Sequence, residues 1–230
     1  MNNFLLNYIT SHLYDKHIEE DKRGPVITIS RDYGCEGYEI TELLLDAINK
    51  HEHHKTEPQE WSIVNKNILK QNAQELHATQ EKISNLLVAK QIGFLEEFIA
   101  TFTDKDYQSD FKLIKVLTKT INALAEQGHV IIVGRAGYII SQDIPRSIHV
   151  KIVGPMSWRI TKVAERYGIT RSEAMHKIED MDEKRKSFLQ FFKCDKPHFD
   201  IFDITLNRKN FSKLEIVDIL MNIIKQKRFI

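Results

Sequence analysis

Apolar positions along the chain switch between two periods, and the switches mark its elements. Residues 4–20 place Phe4, Leu5, Tyr8, Ile9, Leu13 and Ile18 close to a helical period, which predicts an amphipathic leading helix over residues 1–24 that Gly24-Pro25 breaks. That helix either caps the core or packs on a partner protein. Val26 to Ile29 is instead a continuous apolar and β-branched run, as a parallel strand buried on both faces requires. Ile40, Leu43, Leu44, Ala47 and Ile48 return to the helical period and predict a helix from about Gly37 to Lys50. Gly34 and Gly37 therefore fall at a helix N-terminus, where backbone N–H groups and the helix dipole favour an anion.

The polar run 51–60 reads as an exposed connection, and Trp61 to Val64 as a short strand or a helix entry. His51, His53 and His54 invite a metal, but no matching ligand set follows them, so a solvated turn is the preferred reading. From Asn65 to Phe102 the pattern is helical without a strand, which predicts a helical insertion closed by the polar segment Thr103 to Asp110. A helix over 111–127 then buries Leu113, Ile114, Leu117, Ile121, Leu124 and Ala125 and stops at Gly128. Val130 to Val133 is a strand-length apolar run that delivers Gly134-Arg135-Ala136-Gly137 to its carboxyl end, the edge where open α/β sheets bind ligands. Ser147 to Val153 is a further strand. Pro155 begins a helix on which Arg159, Lys162 and Arg166 share a face. Thr170 with Glu173 forms a capping box for the next helix, where Asp182 and Arg185, three apart, suit an ion pair or a ligand clamp. Phe202 to Leu206 is the last strand, and 212–226 a terminal helix carrying Leu214, Ile216, Val217, Leu220 and Ile224.

Composition narrows the classes of function. With 230 residues, 42% of them hydrophobic, the chain can build one large domain. Thirty-three basic against 32 acidic side chains leave a net charge of +1, so no global field draws it to nucleic acid or an anionic membrane. Nor is there the aromatic and basic interleaving of an RNA-binding sheet. No run approaches the roughly 18 apolar residues of a spanning helix, and the N-terminus lacks a charged region followed by a long apolar block. A cytoplasmic protein is expected. Cys35 and Cys194 offer neither a disulfide framework nor a metal-ligand pair, although a thiol at a helix N-terminus can acquire a lowered pKa and redox reactivity. A Walker-type loop would follow its last glycine with lysine and a hydroxyl residue; here Tyr38 and Glu39 stand in those places, and Arg31 is the nearest cation in sequence.

Taken together, Ile27 to Arg31 with Tyr33-Gly34, then Ile132 to Ala136, then Asp182, Arg185 and the run Phe202 to Asn207 resemble the bacterial cytidylate kinase-like family within the nucleoside monophosphate kinases. The resemblance implies a three-layer α/β fold of the P-loop NTPase type, a parallel sheet flanked by helices, as one domain over 25–230. It implies a substrate-binding helical insertion over about 61–110 and a helical lid over about 155–195. It also implies ATP and Mg²⁺ as cofactors and nucleotides as substrates. Arg31, Gly34, Cys35, Glu36, Gly37, Tyr38 and Glu39 become the candidates for the ATP phosphates; Arg135, Asp182 and Arg185 for the acceptor nucleotide; and Arg159, Lys162 and Arg166 for the cations that act in phosphoryl transfer. The chain departs from cytidylate kinases proper at Ala136, where they carry aspartate, and at Ile178, where they carry arginine. The readings are a monophosphate kinase, a non-catalytic nucleotide- or protein-binding module of the same descent, and a phosphotransferase with a non-nucleotide acceptor.

Overall fold

The computed structural model describes residues 24–65, 67, 69, 110–192 and 201–230; the expected leading helix and most of the expected insertion lie outside them. Five strands form one all-parallel sheet: β1 (Val26–Arg31), β2 (Ser62–Val64), β3 (Val130–Val133), β4 (Ser147–Val153) and β5 (Ile204–Asn207), in the order β2-β3-β1-β4-β5. The helices are α1 (Gly37–Glu52), α2 (Asp110–Gln127), the short α3 (Gly137–Ile140), α4 (Met156–Tyr167), α5 (Arg171–Gln190) and α6 (Lys213–Gln226).

The central place of β1, with Ile29 opposite Val133 on one side and Val150 on the other, explains its unbroken apolar run. Its side chains alternate between two cores. Val26 packs with Val130 and Ile132 against Leu117, Ile121 and Leu124 of α2. Ile27 and Ile29 pack with Ile131, Ile148 and Val150 against Ile40 and Leu44 of α1 and Ile216 and Leu220 of α6. Helices on both faces of a parallel sheet make this a three-layer α/β fold.

Local chemistry shifted some boundaries. β5 starts at Ile204 rather than Phe202, because the Asp203 carboxylate accepts the His149 N–H at 2.7 Å and the ladder opens only at Ile204 opposite Val150. α1 runs on to Glu52, which is buried at 3% exposure rather than solvated: it pairs with Lys55 at 2.7 Å and accepts the Gln59 N–H at 3.1 Å. Of the stretch Trp61 to Val64, Ser62 to Val64 forms a strand. Leu214, expected on the apolar face of the last helix, is 64% exposed in its first turn. No helix among the described residues is long and apolar enough to cross a membrane.

Candidate nucleotide-binding site

Every strand of the sheet points its carboxyl end to one edge, and the loops there carry the candidate residues. After β1 the chain turns through Asp32 to Glu36. Gly34 has φ +88°, and a Cβ on it would lie 2.9 Å from Val163 Cγ2 of α4, so only glycine lets the loop lie this close to that helix. Glu36 caps α1 in a left-handed conformation without a side-chain hydrogen bond, which leaves the first N–H groups of the helix for another acceptor. They open on a cavity of 150 Å³ whose wall includes Asp32, Gly37, Glu39, Lys162 and Arg166.

A brace under the loop fixes its shape. Asp182 of α5 accepts the Tyr33 N–H at 2.9 Å and pairs with Arg159 of α4 at 2.5 Å, while Arg159 also donates to the Tyr33 carbonyl at 3.3 Å. Arg159 is 8% exposed, so it is turned inward rather than standing in a solvated stripe with Lys162 and Arg166. Lys162 pairs with Glu165 at 3.0 Å, and Arg166 bonds Glu39. Cys35 is fully buried, and burial followed by the nearby Asp32 pushes its thiol up to about 12, the opposite of an activated cysteine.

The two loop glutamates are both neutralised. Arg208, just past β5, pairs with Glu36 at 2.5 Å while lying over the Trp158 ring at 5.5 Å. Glu39 is held by Lys213 at 2.6 Å and by Arg166, and the Lys213 hydrogen bond foremost keeps its carboxyl below the usual range. Arg208 and Lys213 were absent from the sequence-based candidates. The strand-end rule that pointed to Arg135 applies equally to Arg208, the first residue after β5.

After β3, Gly134, Arg135 and Ala136 have φ of +71°, +53° and +53°, three left-handed residues in succession. For the two non-glycine residues that backbone costs roughly 1–2 kcal/mol each. The turn is closed by the Gly137 N–H donating to the Gly134 carbonyl at 2.9 Å. Glycine suits position 134 because of its φ of +71°, and a Cβ there would also push aside the end of the Arg31 side chain, whose Nη1 would lie at 2.3 Å.

Three guanidinium groups gather beyond this turn. Arg31 is lowered to about 10 by burial, then by Arg185 and Arg135; burial and then Arg185 lower Arg135; burial also lowers Arg185, with Asp182 opposing it. Asp182 is 3.7 Å from Arg185 and is itself committed to Arg159, and no other carboxylate pairs with the three arginines among the described residues. Arg185 donates to the Arg31 carbonyl at 2.9 Å and lies over Tyr33, and Arg135 lies over Phe188. All three line a cavity of 710 Å³. Arg31, Tyr33, Tyr38, Tyr167 and Arg185 belong to the walls of both cavities, so the two adjoin. Partly buried, mutually repelling cations at a sheet's carboxyl edge are an arrangement that suits a multiply charged anion.

A sequence model of the cytidylate kinase-like family matches residues 26–210. The chain belongs to that family. Among solved structures, an uncharacterized protein from Eubacterium ventriosum ATCC 27560 is similar to this cytidylate kinase-like chain at 19% identity and a TM-score of 0.59, over 87% of this chain and 98% of the other. That likeness establishes the shared α/β fold. TT1252 from Thermus thermophilus aligns at 15% identity and a TM-score of 0.41, over 89% of this chain and 98% of its own. No curated protein matches the chain.

Within this family member, the expected phosphate-loop residues Arg31, Gly34, Glu36, Gly37, Tyr38 and Glu39 all line the smaller cavity, whereas Cys35 lies beneath the loop in the core. Arg135 and Arg185 share the larger cavity, but Asp182 faces the loop backbone instead. Of the three expected lid cations, Lys162 and Arg166 reach the smaller cavity and Arg159 serves the brace.

Proposed function

We propose that the protein is an ATP-dependent nucleoside monophosphate kinase acting on a cytidylate-like acceptor. The observation that carries this reading is the convergence of Arg31, Arg135 and Arg185 on one cavity without a committed carboxylate partner. A phosphate dianion would relieve their mutual repulsion and accept bidentate hydrogen bonds from the guanidinium forks. The adjoining smaller cavity, with the uncapped N-terminus of α1, suits the phosphates of the donor. Phosphoryl transfer asks mainly for positioning and for charge stabilisation, and two adjoining anion sites with a shared arginine wall supply both.

The donor set also fits a hard divalent cation. Asp32 lines the smaller cavity and makes no ion pair among the described residues, so it would hold Mg²⁺ together with phosphate oxygens. Bound there, the metal would neutralise charge on the transferring group. Arg31 and the α4 cations Lys162 and Arg166 would take the part of the missing loop lysine, with α4 and α5 as the lid.

A second reading, a non-catalytic nucleotide-binding module, draws support from the two closed ion pairs of the loop, Glu36 with Arg208 and Glu39 with Lys213 and Arg166. They leave the donor side short of free positive charge. Phosphotransfer assayed with ATP, Mg²⁺ and a panel of monophosphates, beside a direct ATP titration, separates the two. Turnover that disappears in Arg135→Ala and Arg185→Ala supports the kinase. Binding of ATP without turnover across the panel sinks it in favour of the module, and no binding of any nucleotide removes both.

A further inference from the structure

Five aromatic rings line the larger cavity among the described residues: Tyr33, Tyr38, Tyr138, Tyr167 and Phe188. Four already carry a neighbour. Arg185 lies 5.6 Å over Tyr33 and Lys177 lies 4.5 Å over Tyr167. Tyr138 packs on Phe202 at 4.7 Å, and Phe188 meets both Arg135 at 5.5 Å and Phe192 at 5.4 Å. Tyr38 differs. Its residue is 45% exposed, and neither face of its ring meets an aromatic or cationic side chain among the described residues. It lines both the larger and the smaller cavity, at the place where the two adjoin.

An exposed, unengaged aromatic ring beside an arginine cluster has a specific use. The arginines can fix one end of a ligand but offer nothing flat and apolar to the other, and the remaining rings of the wall are engaged. We infer that Tyr38 is the stacking platform for the base of the acceptor, an inference that rests on the assignment of the acceptor phosphate to Arg31, Arg135 and Arg185. The acceptor class is then a nucleobase-bearing monophosphate rather than a sugar phosphate, because a sugar gains little from an aromatic face compared with a π-system. Stacking is tolerant of base identity, so Tyr38 raises affinity for all nucleoside monophosphates without choosing among them. The position that in a Walker-type loop would carry a charge for the donor instead carries a surface for the acceptor.

Equilibrium binding of CMP, UMP, AMP and GMP is compared with that of ribose 5-phosphate, which keeps the phosphate and lacks the base, for the full chain and for Tyr38→Leu, Tyr38→Phe and Arg135→Ala. Tyr38→Leu is expected to weaken the four nucleotides by roughly tenfold while leaving ribose 5-phosphate unchanged, and Tyr38→Phe to retain most of the affinity. Arg135→Ala is expected to weaken every probe alike. If Tyr38→Leu leaves the nucleotides unaffected, or weakens ribose 5-phosphate equally, the stacking role is overturned while a loss in Arg135→Ala still upholds the phosphate site. If the unaltered chain binds none of the probes, or Arg135→Ala binds all of them undiminished, the phosphate assignment fails and the stacking role with it.

Discussion

Asp182 accepts the backbone N–H of Tyr33 at 2.9 Å across 149 positions of sequence. One carboxylate thereby fixes the first turn of the loop after β1 from beneath and neutralises Arg159, a guanidinium with little access to water. Loop and helix pair α4–α5 are consequently joined by a polar brace as well as by the contact of Gly34 with Val163.

Asp182→Ala should therefore act on stability first. Losing the carboxylate strands Arg159 and frees the Tyr33 amide, at a cost of about 2–3 kcal/mol, below the full penalty for a buried pair because a third of the Asp182 side chain meets water. Urea unfolding of the two proteins measures it. A variant within 0.5 kcal/mol of wild type, roughly the scatter of neutral surface changes, would remove the brace from the account.

Gly34→Ala and Gly168→Ala form a matched pair. Both glycines have positive φ, +88° and +63°, but a Cβ at 34 would lie 2.9 Å from Val163 whereas at 168 nothing lies within 4 Å. Gly168→Ala is expected to cost about 1 kcal/mol, the conformational part alone, and Gly34→Ala about 2–3 kcal/mol because overpacking is added. Equal melting temperatures for the two variants would contradict the close approach of loop and helix.

Glu39 makes stability depend on pH in a defined direction. Its carboxyl is held below the usual 4.5 by the hydrogen bond from Lys213 first, and by Arg166. A depressed folded pKa contributes stability above the unfolded value, and the contribution is lost as pH falls through the folded one. The stability difference between wild type and Glu39→Gln should be on the order of 0.5–1 kcal/mol near neutrality, given the exposure of the pair, and shrink below pH 4.5. Chemical denaturation at several pH values reads it, and a difference that grows on acidification would contradict the assignment.

Cys35 is expected to be inert in the folded protein. Against an ordinary thiol at 9.0, a value of about 12 lowers the thiolate fraction about a thousandfold, before burial adds its steric block. In a Cys194→Ser background, a thiol-specific disulfide reagent should label Cys35 only on unfolding, and rapid labelling of the native protein would restore the redox reading.

The elements were legible in the sequence because each is dictated by neighbours in the chain. Val130 to Val133 is apolar throughout since both its faces are covered, and Thr170 with Glu173 signals a helix start through bonds only three residues long. Ser212 with Glu215 forms the same capping box and carries the same signature, though the sequence reading passed over it. The partners within the site were not legible. Glu36 with Arg208 and Glu39 with Lys213 join residues more than 170 positions apart, and no periodicity reports which cation a carboxylate will meet. Helical spacing put Arg159 and Arg166 on a common face; the packing of α5 against one end of that face turned the first inward and left the second in water.

Arg166 and Lys213 come from helices that belong to different parts of the chain, yet both hold the same Glu39 carboxylate. That shared anchor ties the posture of α4 to the terminal helix without any contact between the two cations being needed. A change of charge at residue 213 would loosen or tighten the grip on Arg166, so the last helix of the chain bears on how firmly α4 is held at the wall of the smaller cavity.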